Sequence, residues 1–246
     1  MSDGDGIGLV FIHGAGLGGW IWEAMAPGLE APHLFTDFPG RENGTKGLRL
    51  DDYVRHLRDQ VDRFRSDRFA IVAHSLGGVV ALQLAEELPG RIAGLIGVGA
   101  AVSREGGSFV SSLPPAKRVL TRVVMRIAGT RPPESAIRRG LCNDLPAEAA
   151  DEVVRRFVPE SRALYFERTG ARVPDVPRMY VRLTDDREFG VPLQRAMASN
   201  LGAETEREIA SGHMAMLSKP DELAQVVNQF AAHVGAGSPL GKDDHR

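Results

Sequence analysis

The chain has 246 residues, a length that suits one sizeable α/β domain and argues against a second full domain. Hydrophobic residues make up 43% and charged residues 25%, as in an ordinary soluble globular protein, and the net charge of −2 gives no reason to expect nucleic acid as a partner. The single cysteine, Cys142, excludes an internal disulfide framework and a cysteine-based metal cluster, and no apolar run approaches the roughly 20 residues that span a bilayer.

The first six residues are acidic and rich in glycine rather than basic and then apolar. We therefore expect no secretory signal, a cytoplasmic location and no stable membrane association. Apolar runs then alternate with segments of helical periodicity. We expect strands at residues 7–12, 33–36, 69–73 and 92–98, and helices at 20–29, 50–64 and from 79 onward. This alternation predicts a mostly parallel sheet with helices on both faces.

The alternation stops after the strand near 92–98. Residues 101–172 contain no convincing strand, and proline residues divide them into three helical segments, at 116–128, 134–141 and 147–157. We expect a helical lid here, inserted into a core of residues 7–100 and 173–234. The core resumes with strands at 178–183 and 205–209 and helices near 192–200 and 221–234. Residues 235–246 are small and polar, and we expect a flexible tail.

Ser75 lies at the corner between the buried strand at 69–73 and the following helix, in the sequence AHSLGG. A serine on such a tight turn has its hydroxyl pushed outward, and the helix N-terminus behind it supplies free N–H groups and positive dipole potential. The small residues Ala73 and Gly77 let the strand and the helix approach closely. The pattern predicts a nucleophile, which needs a base, a group that orients the base, and donors for an oxyanion.

His213 and an aspartate are the candidates for the base and its partner. His213 lies between the last strand and the last helix, on the sheet edge where the serine corner also lies. The strand at 178–183 ends beside Asp185 and Asp186 on the same edge. We favour Asp186 as the orienting carboxylate and keep Asp185 as the alternative.

The N–H groups of Leu76, directly after the serine, and of Ala15, in the loop after the first strand, are the expected oxyanion donors. Glycines on both sides of Ala15 let that loop turn toward a reacting carbonyl. His13 and His74 each adjoin one of these parts, and we expect them to shape the loops. We expect no cofactor and no bound metal.

The motifs are HGAG at 13–16, GWIW at 19–22, DFPG at 37–40, AHSLGG at 73–78, TDD at 184–186 and GHMAML at 212–217. Together they resemble the α/β-hydrolase fold over roughly residues 7–234, and within it the branch of small-molecule methyl esterases and hydroxynitrile lyases. The resemblance implies Ser75 as nucleophile, His213 as base and Asp186 as its partner, with Ala15 and Leu76 donating to the oxyanion. The implied reaction is hydrolysis of a small-molecule carboxylic ester through an acyl-enzyme.

Two residues depart from the pattern of this branch. Ala73 replaces the more usual glycine at the start of the serine motif, and its small side chain counts little against activity. Met214 follows the base, where the lyases resemble one another in having a lysine that stabilises cyanide, so methionine favours ester hydrolysis.

The alternatives are a hydroxynitrile lyase, a carbon–carbon hydrolase, a cofactor-free perhydrolase and a non-catalytic small-ligand receptor of the same fold. The oligomeric state stays open, with a homodimer as one option.

Residues 101–172 carry 13 Lys and Arg against 8 Asp and Glu, so the insert is basic in an otherwise acidic chain. Arg118, Arg122 and Arg126 recur along one predicted helix. This charge either attracts an acidic substrate or an anionic lipid surface, or it belongs to a solvated helix face. We favour the solvated face, because runs of charge usually have that role.

Overall fold

The computed structural model describes residues 6–236. Its strands are β1 (Gly8–Ile12), β2 (His33–Phe35), β3 (Phe69–His74), β4 (Ile92–Val98), β5 (Arg178–Leu183) and β6 (Thr205–Ile209). They form one sheet in the order β2-β1-β3-β4-β5-β6, and every neighbouring pair is parallel. The predicted α/β class with a mostly parallel sheet is confirmed.

The helices are α1 (Leu50–Val61), α2 (Gly77–Glu87), α3 (Phe109–Ser112), α4 (Pro115–Ile127), α5 (Glu134–Gly140), α6 (Ala147–Arg156), α7 (Ala163–Phe166), α8 (Val191–Leu201), α9 (Ala215–Ser218) and α10 (Pro220–Gly235). The sequence did not predict α3, α7 and α9, because four residues show no periodicity. The segment predicted as a helix at 20–29 forms 3-10 turns over Gly19–Gly28, with Pro27 inside it removing one N–H donor. Among the described residues, no helix is long and apolar enough to cross a membrane.

Alternate side chains of the strands pack into two apolar clusters, one on each face of the sheet. Val10 and Ile12 of β1 belong to the cluster that includes residues of α1, α2 and α8. Leu9 and Phe11 belong to the cluster that includes residues of the 3-10 segment, α9 and α10. The central strands β1, β3 and β4 are buried along their whole length, as expected for a parallel sheet covered on both faces.

Five helices, α3 to α7, lie between the end of β4 and the start of β5, and we call residues 101–172 the helical insert. Because the strands are parallel, the loops after β1, β3, β5 and β6 lie on one edge of the sheet, and each of them carries a predicted site residue. Gly235 is the last residue of α10. Of the predicted tail at 235–246, residues 237–246 lie outside the described residues.

Candidate active site

Ser75 lies on the turn between β3 and α2 with a backbone φ of 49°. Within residues 6–236 it is the one non-glycine residue with a positive φ, a conformation that costs about 1–3 kcal/mol. The Ser75 carbonyl oxygen holds the turn by accepting the N–H groups of Gly78 at 3.0 Å and of Ala101 at 2.8 Å. The strained serine turn predicted from the sequence is therefore present, and its side chain lines a cavity.

The two glycines that end the AHSLGG motif are required by close backbone contacts. A Cβ atom at Gly77 would lie 2.7 Å from the Ile12 carbonyl oxygen, and one at Gly78 would lie 2.5 Å from the Ala101 carbonyl oxygen. Because these neighbours are backbone atoms, larger residues would push α2 away from the sheet. The glycines thus keep the helix N-terminus directly behind Ser75.

His213 and Asp186 form a buried pair. His213 Nδ1 donates to Asp186 Oδ2 at 2.8 Å, and their side chains are 1% and 0% exposed. The other carboxylate oxygen, Oδ1, accepts the backbone N–H groups of Glu188 at 2.7 Å and of Phe189 at 2.9 Å, which fixes the orientation of the carboxylate. Asp185, the alternative partner, is exposed. The structure therefore brings Asp186, and not Asp185, to the imidazole.

The electrostatic surroundings of His213 favour its protonated form. Burial alone disfavours the imidazolium, but the carboxylates of Asp186, Glu188 and Asp144 outweigh it and raise the pKa of His213 above its ordinary value. A raised pKa makes the imidazole a stronger proton acceptor, as a general base requires.

His74 links the serine turn to the loop that carries His213. Its Nε2 N–H donates to the His213 carbonyl oxygen at 2.9 Å, and the two ring centroids lie 4.6 Å apart. Burial and then the neighbouring His213 hold the pKa of His74 well below its usual range, so this ring stays neutral. Among residues 6–236, no hydrogen bond joins the Ser75 hydroxyl to the His213 ring. In apo enzymes this contact is often long and tightens when substrate binds.

Ala15 and Leu76 line the same cavity as Ser75. Neither of their backbone N–H groups has an acceptor among the hydrogen bonds of the described residues, so both are available to a bound oxyanion. His13 fixes the loop that contains Ala15. Its Nδ1 N–H donates to the Gly14 carbonyl oxygen at 2.7 Å, and its Nε2 accepts the Phe38 N–H at 3.1 Å. Burial lowers the pKa of His13 to about 3, consistent with a neutral ring that shapes the loop.

A buried carboxylate of the helical insert holds the other side of this loop. Glu160, 2% exposed, accepts the Gly16 N–H at 3.2 Å, the Tyr53 hydroxyl at 3.0 Å and the Arg41 guanidinium at 2.5 Å. Burial raises the pKa of Glu160, and the Arg41 charge opposes this effect. Because Gly16 directly follows Ala15, the network restrains the Ala15 N–H.

A second contact from the insert holds the loops after β5 and β6. Asp144 Oδ2 accepts the Gly212 N–H at 2.6 Å, and Asn143 Nδ2 donates to the Asp185 carbonyl oxygen at 3.0 Å. A Cβ atom at Gly212 would overlap Asp144 Oδ1, so a larger residue here would displace the Asp144 carboxylate. One turn of the insert, between α5 and α6, thus contacts both loops that supply the His213–Asp186 pair.

The cavity has a volume of about 450 Å³ and lies between the insert and the carboxyl edge of the sheet. This size is in the range of sites for small molecules. Its wall is largely apolar, with aromatic rings from Phe109, Phe157, Tyr165 and Phe189. Within residues 6–236 no group of three potential metal-ligating side chains comes together.

The basic helix α4 differs from the sequence expectation in one respect. Arg118 is not a free surface charge, because its guanidinium donates to the carbonyl oxygens of Ser111 and Leu113 and closes the end of α3. The large apolar side chains of α4 are exposed, by 45% to 81%: Val119, Leu120, Val123, Val124 and Ile127.

A model of the alpha/beta hydrolase family matches residues 9–226, which is most of the chain. The chain belongs to the alpha/beta hydrolase family. The expected fold and family are therefore confirmed.

Similar proteins include one that is named for binding a small molecule and two that are named as hydrolases. Salicylic acid-binding protein 2 of Nicotiana tabacum is 28% identical over 92% of this chain and 98% of that protein. Methylesterase 9 of Arabidopsis thaliana is 26% identical, with coverages of 90% and 97%. The pyrethroid hydrolase of Sphingobium wenxiniae is 25% identical, with coverages of 97% and 96%. The methylesterase and hydrolase names agree with the predicted esterase class, and the methylesterase name agrees with the predicted branch of the family.

Solved structures resemble the chain at lower sequence identity and bear on the fold alone. An extracellular alpha/beta-hydrolase from a Paenibacillus species has a TM-score of 0.82 at 19% identity, covering 91% of this chain and 98% of that chain. Polyneuridine aldehyde esterase has a TM-score of 0.72 at 20% identity, with coverages of 92% and 99%.

The structure brings Ser75, Ala15 and Leu76 together on one cavity and pairs His213 with Asp186 beside the serine turn. Sequence reasoning missed Asp144 and Glu160, which hold the site from the insert. A weak signal for Glu160 was present, since it is an isolated acid after the apolar run at 157–159. Asp144 carries no comparable signal.

Proposed function

We propose that this protein is a serine-dependent hydrolase of small-molecule carboxylic esters. Ser75 is the nucleophile, His213 the general base and Asp186 the group that orients the base. The observation that carries the proposal is the buried His213–Asp186 hydrogen bond beside a strained serine turn that lines a cavity. The esterase names among the relatives support esters as the substrate class.

In the acylation step, His213 takes the hydroxyl proton as Ser75 Oγ attacks the ester carbonyl carbon. The carbonyl oxygen becomes an oxyanion, which accepts the N–H groups of Ala15 and Leu76. The imidazolium that forms is stabilised by Asp186, which keeps Nδ1 protonated and leaves Nε2 to exchange the proton. His213 then returns this proton to the leaving alcohol, and the acyl group stays on Ser75.

In the second step, water takes the place of the alcohol. His213 accepts a proton from the water, the resulting hydroxide attacks the acyl-enzyme carbonyl, and the same N–H groups receive the second oxyanion. The proton then passes to Ser75 Oγ, and the carboxylic acid is released. Water and ester are the only reactants that this sequence consumes.

The residue after the base argues for hydrolysis over cyanohydrin cleavage. Met214 is fully buried in the apolar cluster beneath the histidine loop, so it offers no charge to a cyanide leaving group. A carbon–carbon hydrolase or a perhydrolase would use the same three residues, and a substrate panel separates them from an esterase.

The proposal includes a role for the helical insert. We infer that residues 101–172 act as a lid over a core of residues 7–100 and 173–234, because the insert supplies most of the cavity wall and both positioning contacts. A small-molecule ester as the partner and a cytoplasmic location also belong to the proposal.

A fluorophosphonate probe tests the nucleophile directly. We expect one phosphonate adduct per chain by intact mass spectrometry, mapped to the Ser75 peptide, and no adduct on Ser75→Ala. Ser199→Ala, an exposed serine on α8, serves as the matched control and should label like the wild type. An unlabelled wild type, or labelling that persists in Ser75→Ala, would support the receptor alternative or a different nucleophile. Activated esters of increasing acyl length then define the acyl pocket.

A further inference from the structure

The wall of the cavity includes one carboxylate, that of Glu188. Glu188 lines it together with Ser75 and the aromatic rings, and Lys117 is the other charged residue of the lining. The mechanism uses neither residue. Glu188 lies on a largely apolar wall, so the charged groups around its carboxylate need to be identified.

The position of Glu188 is fixed by the same turn that holds the catalytic carboxylate. Its backbone N–H and that of Phe189 both donate to Asp186 Oδ1, so these two hydrogen bonds fix the backbone of Glu188 relative to Asp186. The Glu188 carboxylate reaches across to α5, where a Cβ atom at Gly140 would lie only 2.6 Å from Oε2. Glycine at this position makes room for the carboxylate.

Glu188 has no fixed cation. Over residues 6–236 its carboxylate forms neither a hydrogen bond nor an ion pair. Glu188 is an exposed residue, although the protein around its carboxylate desolvates it enough to raise its pKa, with His213 and Lys117 opposing the effect. Lys117 is an exposed residue of α4 and stays outside ion-pair distance. The negative charge of Glu188 therefore faces the cavity without an ion-pair partner among the described residues.

Aromatic side chains line the same cavity as this carboxylate. The ring of Phe189 stacks on Phe109 with centroids 5.6 Å apart and meets the His213 ring at 5.3 Å. Phe109 in turn meets Tyr165 at 6.3 Å. An anionic group and aromatic rings that line one largely apolar cavity are the groups that attract an organic ammonium ion, through charge attraction and cation–π contacts.

We propose that Glu188, with the Phe189–Phe109 aromatic wall, forms a subsite for an organic cation, and that the preferred esters carry an ammonium group. This inference rests on the proposed ester hydrolysis for its kinetic test. The proposed subsite argues against the hypothesis that the basic insert attracts acidic substrates, because a substrate carboxylate would be repelled by Glu188 inside the cavity.

Isosteric ester pairs test the subsite. Choline and 3,3-dimethylbutyl esters differ only by the cationic nitrogen in the alcohol part, and phenyl esters of 4-(trimethylammonio)butyrate and of 5,5-dimethylhexanoate differ likewise in the acyl part. Because the ammonium group is quaternary, it keeps its charge at every pH. The readout is the ratio of kcat/KM for the cationic member to that for the neutral member.

In the wild type we expect the cationic ester to be favoured at least ten-fold in one of the two pairs. Glu188→Gln should reduce that ratio about ten-fold, and Glu188→Lys should invert it. Glu148→Gln, the same change at an exposed glutamate of α6, is the matched control and should leave the ratio unchanged. Ratios near one in the wild type, or ratios that Glu188→Gln does not alter, would overturn the subsite.

A binding measurement separates this inference from the proposed function. Calorimetric titration with phenyltrimethylammonium should give a Kd that rises about ten-fold in Glu188→Gln and stays constant in Glu148→Gln. If no ester is hydrolysed but this pattern holds, the esterase proposal fails and the cation subsite stands. If the neutral esters are hydrolysed but the Kd does not depend on Glu188, the subsite fails and the esterase proposal stands.

Discussion

Replacing Glu160 by glutamine tests whether the buried network of the insert holds the oxyanion loop. Glutamine keeps the size of the side chain and one carbonyl oxygen, but it removes the charge that Arg41 contacts and replaces the acceptor of the Tyr53 hydroxyl by a donor. Hydrogen bonds to a charged group contribute about 1.5–3 kcal/mol and neutral ones about 1 kcal/mol. Weakening two such contacts predicts a loss of about 2 kcal/mol in the free energy of unfolding.

The same substitution should lower turnover. The Gly16 N–H loses a charged acceptor, so the neighbouring Ala15 N–H is less firmly held. Complete loss of one oxyanion donor costs about 10²–10³ in kcat, and a loosened donor should cost part of that, about ten-fold. KM should change little, because the oxyanion forms only in the transition state.

The assay combines urea unfolding, followed by circular dichroism, with kcat and KM on an activated ester at a temperature where all variants are folded. Tyr53→Phe is the matched control. It removes the hydrogen bond of the Tyr53 hydroxyl to the Glu160 carboxylate and the one that this hydroxyl accepts from the Ser161 N–H. It leaves the carboxylate on Gly16, so it should cost about 2–4 kcal/mol of stability but change kcat by less than about three-fold. A wild-type kcat in Glu160→Gln, or an equal loss of kcat in Tyr53→Phe, would show that the Glu160 carboxylate does not hold the Ala15 N–H in place.

Three further predictions concern the histidine and its carboxylates. In a pH–rate profile with a neutral ester, the acid limb of kcat/KM should have an apparent pKa above 6.5, because the carboxylates around His213 raise its pKa and only the neutral imidazole acts as a base. Glu188→Gln should move that limb to lower pH, because it removes one of these carboxylates. Asp186→Asn should lower kcat by about 10³–10⁴, while Asp185→Asn stays within about three-fold, and equal losses in steady-state assays would show that the wrong aspartate is assigned. Asp144→Ala should lower kcat about ten-fold at nearly constant KM, since the histidine loop loses its anchor, and a normal kcat would show that the anchor is dispensable.

The sheet could be predicted because its signals are local. The apolar runs of β1, β3 and β4 are short, continuous and bounded by turn residues, and the predicted strand at 92–98 matches β4 residue for residue. The serine turn could be predicted for the same reason, since the apolar strand before Ser75 and the two glycines after Leu76 are adjacent in the chain. Local chemistry of this kind needs no knowledge of the tertiary structure.

The support of the site could not be predicted, because its contacts join distant parts of the chain. Asp144 binds Gly212 across 68 residues, and Glu160 binds Gly16 across 144 residues. Nothing local distinguishes Asp144 from a solvated acid, and the apolar residues before Glu160 are only a weak signal. The sequence favoured Asp186 but left Asp185 as an alternative, because the two are neighbours and only the geometry of the turn decides which carboxylate reaches the imidazole.

The role of Ser75 as the nucleophile of an ester hydrolase can be measured as the kcat/KM of Ser75→Ala on an activated ester that the wild type hydrolyses. We expect kcat/KM to fall by about 10⁴ or more, because the three residues act as a unit, and the circular dichroism spectrum to stay unchanged. If Ser75→Ala keeps a kcat/KM within about ten-fold of the wild type, Ser75 is not the nucleophile.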